Sequence, residues 1–488
     1  MSALLLLLTL AVAVAVFFVR GDAVVFGRWA SGLVLAWTVL MGVLFDFGEP
    51  ERMQHTTDWA WVPGLGIRFH LGVDGVSLPL VVLTALLTFL CFVHLGRRDT
   101  AEPGLLAALL LLLEFGMLGT FLALDLLLFF VFFEVVLLPM FVIIGRWGGP
   151  GRRHASYKFI IYTLVGSGFL LVGLLLLASG AGTLDMVKIA EAHGFGITHG
   201  TQVAAFAFLG IGLAVKAPMW PLHTWLPDAH TEAPTVGSVL LAGVLLKMGT
   251  YGFVRIAVPG LPEGASFWAP WLGCLAVVGI IYGALACLAQ TDLKRMIAYS
   301  SIGHMGFVLL GISTLTAVGI NAALFGNIAH GLITGLLFFL AGSIKERYGT
   351  GTLAEIGGGM LGRAPRLGSV LTFACVASLG LPGLAGFWGE MMALVGSYRP
   401  SAGLPRETFV TFMAVAAIGA VLTAAYFLRL LGRITHGRPS SGGALVDVRP
   451  LEWAAWTPLI VLILLVGLWP KTLLALTDAP VRALIGAG

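Results

Sequence analysis

The sequence predicts an all-α polytopic membrane protein of about fourteen transmembrane helices, with two inverted five-helix repeats that each carry one broken helix. Three observations predict it. The chain of 488 residues is 58% hydrophobic and 11% charged, with a mean hydropathy of +0.98. Ordinary soluble chains carry about 25% charged residues, so this one cannot supply a water-facing surface for a globule of its size. Apolar runs of about 20 residues, the length that crosses a bilayer at 1.5 Å per residue, recur along the whole chain. Two of these runs, five spans apart, are interrupted by proline and glycine.

In order, the spans are 4–19, 29–47, 76–95, 104–123, 126–144, 159–178, 203–225, 237–258, 271–289, 296–315, 320–344, 370–395, 409–431 and 456–476. Loops of moderate length fall at 48–75, 179–202 and 345–369, none of them large enough for a soluble domain. The whole of 1–488 is therefore expected to be a single membrane domain. Residues 1–103 hold three N-terminal spans, 104–258 the first repeat, 271–431 the second and 456–476 the last span.

The first run, MSALLLLLTLAVAVAVFFVR, lacks a basic n-region and places its first charge, Arg20, after the apolar stretch. That is the reverse of a secretory signal, so it reads as an uncleaved first span. Orientation follows from the basic residues. Alternate loops, with Arg97, Arg98, Arg152, Arg153, Lys294, Arg295 and Arg363 among them, carry 18 Lys and Arg against 8 on the other side. By the positive-inside rule both termini should face away from the cytoplasm. Arg outnumbers Lys 21 to 7, which points to a GC-rich bacterial genome, and the expected location is a bacterial inner membrane.

The net charge of +4 is scattered over short loops and forms no basic patch, so no nucleic-acid partner is indicated. The four cysteines, Cys91, Cys274, Cys287 and Cys375, lie in apolar stretches without a CxxC pair and read as small apolar fillers.

Ionisable residues at membrane depth carry the functional signal. A Lys, Arg or Asp at mid-membrane costs about 2.5–3.5 kcal/mol on insertion scales, so such residues face the bundle interior and mark ion routes. Glu114, Glu134, Lys216, Lys247, His304 and His330 fall near the midpoints of spans 4, 5, 7, 8, 10 and 11. Singly, each has an ordinary reading: a Glu and a Lys can staple two helices, and a buried His can be a hydrogen-bonded packing residue. Two histidines on adjacent spans could also ligate a haem, although nothing else in the chain suggests a redox cofactor. Six such groups at one depth favour a relay. Burial favours the neutral forms of Lys and Glu, whereas pairing them favours the ions, so moving Glu134 away from Lys216 would release a lysine proton.

The stretch 213–255, LAVKAPMWPLHTWLPDAHTEAPTVGSVLLAGVLLKMGTYGFVR, holds Lys216, His223 and Lys247 and breaks span 7 at Pro218 and Pro221. Neither proline can donate to the carbonyl four residues back, so carbonyls beside Lys216 are expected to be free. Span 12 repeats the break at Ser378–Glu390, where Pro382 and four glycines precede the acid. Unwound backbone at membrane depth is tolerated only where protein or water satisfies it. The spacing from Glu134 to Lys216 is 82 residues and from His304 to Glu390 is 86. Broken helices at matching positions of inverted halves are a transporter feature, which assigns spans 4–8 and 9–13 to the two repeats.

These motifs, with FFEVVLLPM around Glu134, QTDLKRMIAYSSIGHMGFV around His304 and IAHG around His330, resemble the antiporter-like membrane subunits of respiratory complex I, the proton-translocating NADH:quinone oxidoreductase. Glu390 in the broken span 12, where the L-type and N-type subunits carry a lysine, is similar to the M-type branch, as is FHLGVDGVSLPL. The chain stops soon after span 14, where an L-type subunit continues into a lateral helix. The resemblance implies a cytoplasmic half-channel using Glu134, assisted by Glu114, and Lys216. It further implies a central Lys247 and a distal half passing His304 and His330 to Glu390. It implies no cofactor in this chain, with FMN, iron–sulfur clusters and quinone in partner subunits, and L-type and N-type neighbours within the bilayer. The alternatives are the D-type subunit of a multisubunit sodium/proton antiporter, a membrane subunit of an energy-converting hydrogenase, and a passive membrane anchor.

Overall fold

A computed structural model describes residues 1–19, 22–96, 101–437 and 445–486. Arg20, Arg97 and Arg98, which entered the charge count, lie outside these residues. Among the described residues eleven helices are long and apolar enough to cross a membrane.

The chain opens with α1 (Ser2–Ala15) and α2 (Ala23–Val43), followed by a hairpin of β1 (Gln54–Val62) and β2 (Ile67–Val73). The hairpin is an addition to the expected all-helical fold, inside the segment read as a loop. Its strands pair antiparallel with Trp59 opposite Phe69, and those rings stack at 5.0 Å. Then come α3 (Leu78–Leu95), α4 (Pro103–Leu122), α5 (Leu126–Val135) with α6 (Leu137–Trp147), α7 (Arg152–Ala181) and the short α8 (Met186–Ala192).

The broken span 7 consists of α9 (His199–Lys216) and α10 (Trp225–Glu232). As expected α9 stops at the prolines, but the Ala214 carbonyl is not free: it accepts from Met219 N at 2.9 Å, and the Val215 carbonyl accepts from the Trp225 indole at 3.0 Å. A chain that leaves the helix immediately can fold back and supply its own donors. The next span is continuous from Thr235 to Gly260. It comprises α11 (Thr235–Leu240), α12 (Leu246–Gly252) and α13 (Val258–Gly260), joined by π-helical turns at Leu241–Leu245 and Phe253–Ala257. Such widened turns are frequent at functional sites.

The second half has α14 (Pro262–Ala289), α15 (Leu293–Ser313), α16 (Ala317–Tyr348) and two short helices, α17 (Leu353–Ile356) and α18 (Met360–Arg363). Its broken span is α19 (Pro365–Ser378) and α20 (Ala385–Tyr398), separated by Gly380 and Gly383 at φ +82° and +94°. Those angles suit glycine and little else. α21 (Arg406–Ile434), α22 (Pro450–Leu468) and α23 (Lys471–Leu484) complete the chain. The expected last span, 456–476, is shifted: α22 ends at Leu468, before Trp469 and Pro470, and Lys471 begins a separate helix.

The two halves share a local device. Asp125 caps α5 and bridges to Asp185, the cap of α8; Asp292 caps α15 and bridges to Thr352, which precedes α17. In each bridge the partners are 60 residues apart. Asp side chains suit this place because they accept from the free first-turn N–H groups of a helix.

Candidate functional site: a line of buried ionisable groups

Four of the expected residues form one connected line. Lys247, on α12 directly after a π-helical turn, donates its ammonium to the Ala242 carbonyl five residues earlier and to His330 Nδ1 at 2.6 Å. The His330 ring, on α16, meets the ring of His304, on α15, at 5.8 Å between centroids. His304 shares one hydrogen bond with Glu390 Oε1 at 2.9 Å and another with Ser378 Oγ at 3.0 Å. Ser378 is the last residue of α19 and Glu390 lies on α20, so the break in span 12 opens the gap in which the imidazole sits.

A cavity of about 30 Å3 lies among His304, His330, Thr334, Ser378 and Glu390. A water needs roughly 10–15 Å3 of such space and two or more polar partners, and both conditions are met. One turn along, Thr250 donates to Asn327 Oδ1 at 3.0 Å and binds α12 to α16 beside the line. Lys247 and His330 are 0% and 5% exposed, so any proton on them is held by these partners and not by bulk water.

By residue count Glu390 lies about eight past the midpoint of span 12, towards the outer side, and in the fold it is one hydrogen bond from His304. The six residues from Leu379 to Leu384 are not helical, so a count at 1.5 Å per residue overstates the depth travelled.

The first half is arranged differently. Glu134, on α5, accepts a short hydrogen bond from the Ser167 hydroxyl on α7. Lys216 is buried at the end of α9 with its ammonium 4.5 Å over the Phe133 ring and no hydrogen-bond partner. The expected Glu134–Lys216 pair is not closed: among the described residues the Lys216 ammonium has no hydrogen-bond partner and no ion pair within 4.0 Å joins it to Glu134. Glu114 is fully buried and neither carboxylate oxygen has a partner. His223 is 2% exposed with both ring nitrogens unpartnered, its ring edge-on to Tyr282 at 4.9 Å. Each of these is a buried polar group waiting for a partner, a costly condition unless water or motion supplies one.

Between the halves, α12 packs tightly on the broken helix. A Cβ at Gly249 would lie 2.6 Å from the Leu213 carbonyl oxygen and 2.8 Å from Ala217 N.

Sequence reasoning missed four residues. His230, on α10, is fully buried with both nitrogens unpartnered, and its ring stacks on Phe338 at 4.6 Å. Ser378 and Ser167 were passed over because a helical serine ordinarily bonds its own backbone. Arg255, counted with a loop, is 3% exposed and paired with Asp74 at 2.5 Å. Lying inside an apolar run, it carried the same signal as Lys247.

No group of three or more His, Cys, Asp or Glu side chains is placed to hold a metal among the described residues. The arrangement suits proton transfer, since imidazole, carboxylate and amine both accept and release protons.

A family profile described as "NADH:quinone oxidoreductase/Mrp antiporter, TM" matches residues 123–423, which include Glu134, Lys216, Lys247, His304, His330 and Glu390. The chain is 43% identical over 456 residues to the NAD(P)H-quinone oxidoreductase chain 4 1 of a Synechococcus strain, covering 91% of this chain and 86% of that protein. It is 39% identical over 461 residues to NADH-quinone oxidoreductase subunit M of Rickettsia bellii, covering 93% and 90%. The chain belongs to the NADH:quinone oxidoreductase/Mrp antiporter membrane family. A chain of respiratory complex I from Thermus thermophilus superposes over all of both chains with a TM-score of 0.89 at 30% identity. Within the family this sequence falls with the subunit M and chain 4 branch, as its motifs implied.

Proposed function

We propose that this chain is the M-type, proton-translocating membrane subunit of an NADH:quinone oxidoreductase in a bacterial inner membrane. The observation that carries the reading is the line from Lys247, hydrogen-bonded to His330, across the edge-on ring contact of His330 with His304, to Glu390, hydrogen-bonded to His304. The names of the relatives supply the redox reaction, which this chain does not perform; FMN, iron–sulfur clusters and quinone belong to partner subunits. L-type and N-type subunits are its proposed neighbours, and both termini face away from the cytoplasm.

The proposed topology is fourteen spans, the eleven long helices being joined by α1 and by the two broken spans α9–α10 and α19–α20. Two inverted repeats are supported by the matching Asp125–Asp185 and Asp292–Thr352 bridges, each at the start of the second helix of its half.

Protons enter the line at Glu134, with Glu114 and His223 lending polar surface to the first half. Lys216 passes a proton on when Glu134 is not paired to it, as in the geometry described. Lys247 receives that proton and hands it to His330 along their 2.6 Å contact. The lysine becomes a neutral amine and the imidazole a cation. His304 and Glu390 take it onward, with a water in the small cavity bridging the two rings. Moving one charge against 100 mV costs about 2.3 kcal/mol, which the redox reaction in the partners must deliver.

The test uses assembled complex in membrane vesicles. Lys247→Ala and Glu134→Ala are each expected to abolish proton-coupled NADH:quinone activity, and Glu390→Lys, which keeps an ionisable group at the break, to be milder. Normal pumping by an assembled Lys247→Ala complex would sink the relay. The family description also names Mrp antiporters, so the second reading is a sodium/proton antiporter subunit. Under that reading sodium would drive proton movement without NADH.

A further inference from the structure

The short helix α10, on the far side of the break in span 7, is tied to both halves of the molecule through one carboxylate. Asp228 Oδ2 accepts from the Lys158 ammonium at 2.7 Å, and Asp228 Oδ1 lies 3.4 Å from the Arg295 guanidinium. Lys158 is on α7, in the first half, and Arg295 is on α15, in the second. Lys158 stands nine residues before Ser167, the partner of Glu134, and Arg295 stands nine residues before His304. Each cation is therefore about 14 Å along its helix from a residue of the candidate site.

The C-terminal end of α10 is held in the same two directions. Towards the first half, the Glu232 carboxylate accepts from Gly151 N at 2.8 Å and the Glu232 carbonyl from Gly149 N at 2.9 Å, which binds the turn that leads into α7. Towards the second, the Lys294 ammonium of α15 donates to the Ala233 carbonyl at 2.7 Å, one residue past α10. His230, on the same helix, stacks on Phe338 of α16, the helix that carries His330.

Partly exposed ion pairs add little to stability, and Lys158, Asp228 and Arg295 are 26%, 21% and 43% exposed. What a carboxylate shared between two cations does supply is geometry. Bonded at one oxygen to α7 and facing α15 with the other, it fixes α10 between them, and α10 cannot shift towards either helix without stretching the opposite pair. Lys216 ends α9 and Asp228 follows twelve residues later, the chain between them folded back on α9 by the Met219 N and Trp225 indole hydrogen bonds. A shift at Lys216 therefore reaches α10.

We propose that Asp228 is a positioning residue that couples the two halves: it carries the movement that brings Lys216 to Glu134 across α10 to Arg295, and so to the helix that bears His304. The inference rests on the reading of the buried line as a proton relay, and it adds a mechanical link by which the first half sets the second.

The test reads proton-coupled NADH:quinone turnover per assembled complex in sealed vesicles. Asp228→Asn, which keeps the shape of the side chain but not its charge, should lower turnover about threefold or more, and Asp228→Glu should restore it. Lys158→Gln and Arg295→Gln each leave α10 paired to one half only, so each alone should cause the same loss as Asp228→Asn. Adding either to Asp228→Asn should cost nothing further, because the link is already open. Losses that add from one variant to the next would mean independent surface pairs and overturn the proposal, as would normal turnover in Asp228→Asn. A smaller amount of assembled complex with normal turnover in what remains would show a structural role and overturn it too. If Asp228→Asn does not assemble, Lys158→Gln, Arg295→Gln and their double variant decide by the same criterion, the double being no slower than either single. Failure of the proposal leaves Lys247→Ala inactive, whereas failure of the relay itself leaves Lys247→Ala pumping.

Discussion

A lysine ammonium buried without an acceptor must be held by something else, and for Lys216 that is the face of Phe133. A cation over an aromatic ring in a dry setting is worth about 2 kcal/mol or more. Phe133→Leu is therefore expected to slow proton-coupled quinone reduction by about thirtyfold, read in vesicles against the level of assembled complex; an unchanged rate would deny the ring any role. At the other end, Ser378→Ala removes one hydrogen bond from His304 while leaving Glu390 in place. Such a bond contributes about 1 kcal/mol, so the expected loss is a few-fold, and His304→Ala should cost far more. The members of the line were legible singly, because an ionisable residue in the middle of an apolar run is conspicuous. Their contacts were not: that Lys247 touches His330 and not Lys216 depends on how helices far apart in sequence pack. His230 escaped notice because it lies beside the break, where span midpoints lose meaning.

The broken helices are where local chemistry and packing meet. Gly380 has φ +82°, and a Cβ there would stand 3.2 Å from Glu390 Oε2. Gly380→Ala is expected to strain the break by about 1–3 kcal/mol and push Glu390 from His304, lowering pumping more than assembly; normal pumping would show that the break tolerates a side chain. Proline and glycine announced both breaks, and the elements near them appeared as expected. The hairpin did not, because strand alternation over residues 54–73 is faint beside the helical runs and was read as loop. Its ion pair gives a pH test. Arg68, hydrogen-bonded at 2.7 Å, lowers the Asp58 pKa below its ordinary value. A depressed folded-state pKa contributes stability that is present above the unfolded pKa and lost as pH falls through the folded one. Removing the pair by Asp58→Asn should therefore leave hairpin stability unchanged at acid pH and lower it slightly at neutral pH. A native-state hydrogen-exchange series on the hairpin amides checks this. The pair is half exposed, so the effect should fade in high salt.

At the scale of the molecule, the ends of three helices are tied by one buried ion pair. Arg347, at the end of α16, binds both carboxylate oxygens of Glu452, at the start of α22, at 2.8 and 2.6 Å, and also the Asp447 carbonyl. Asp447 in turn accepts from Arg366 N and Leu367 N at the start of α19. Arg347→Ala would leave Glu452 buried and unpaired at a cost of about 3–5 kcal/mol, so assembled complex on native gels should drop sharply. The double variant Arg347→Met with Glu452→Leu should recover part of it; no recovery would mean that the carbonyl contacts matter more.

By itself the sequence determined that this chain lies in a membrane, where most spans fall, which two are broken and which ionisable groups interrupt the apolar runs. Those properties follow from composition and from spacing along single helices, where burial is decided over about twenty residues at a time. Only the tertiary structure decided that Lys247, His330, His304 and Glu390 form one line, that Glu134 and Lys216 stand apart, and that Asp74 meets Arg255. Those contacts join residues 83, 86 and 181 positions apart in sequence. Their distances are set by how whole helices pack against one another, which no local pattern encodes.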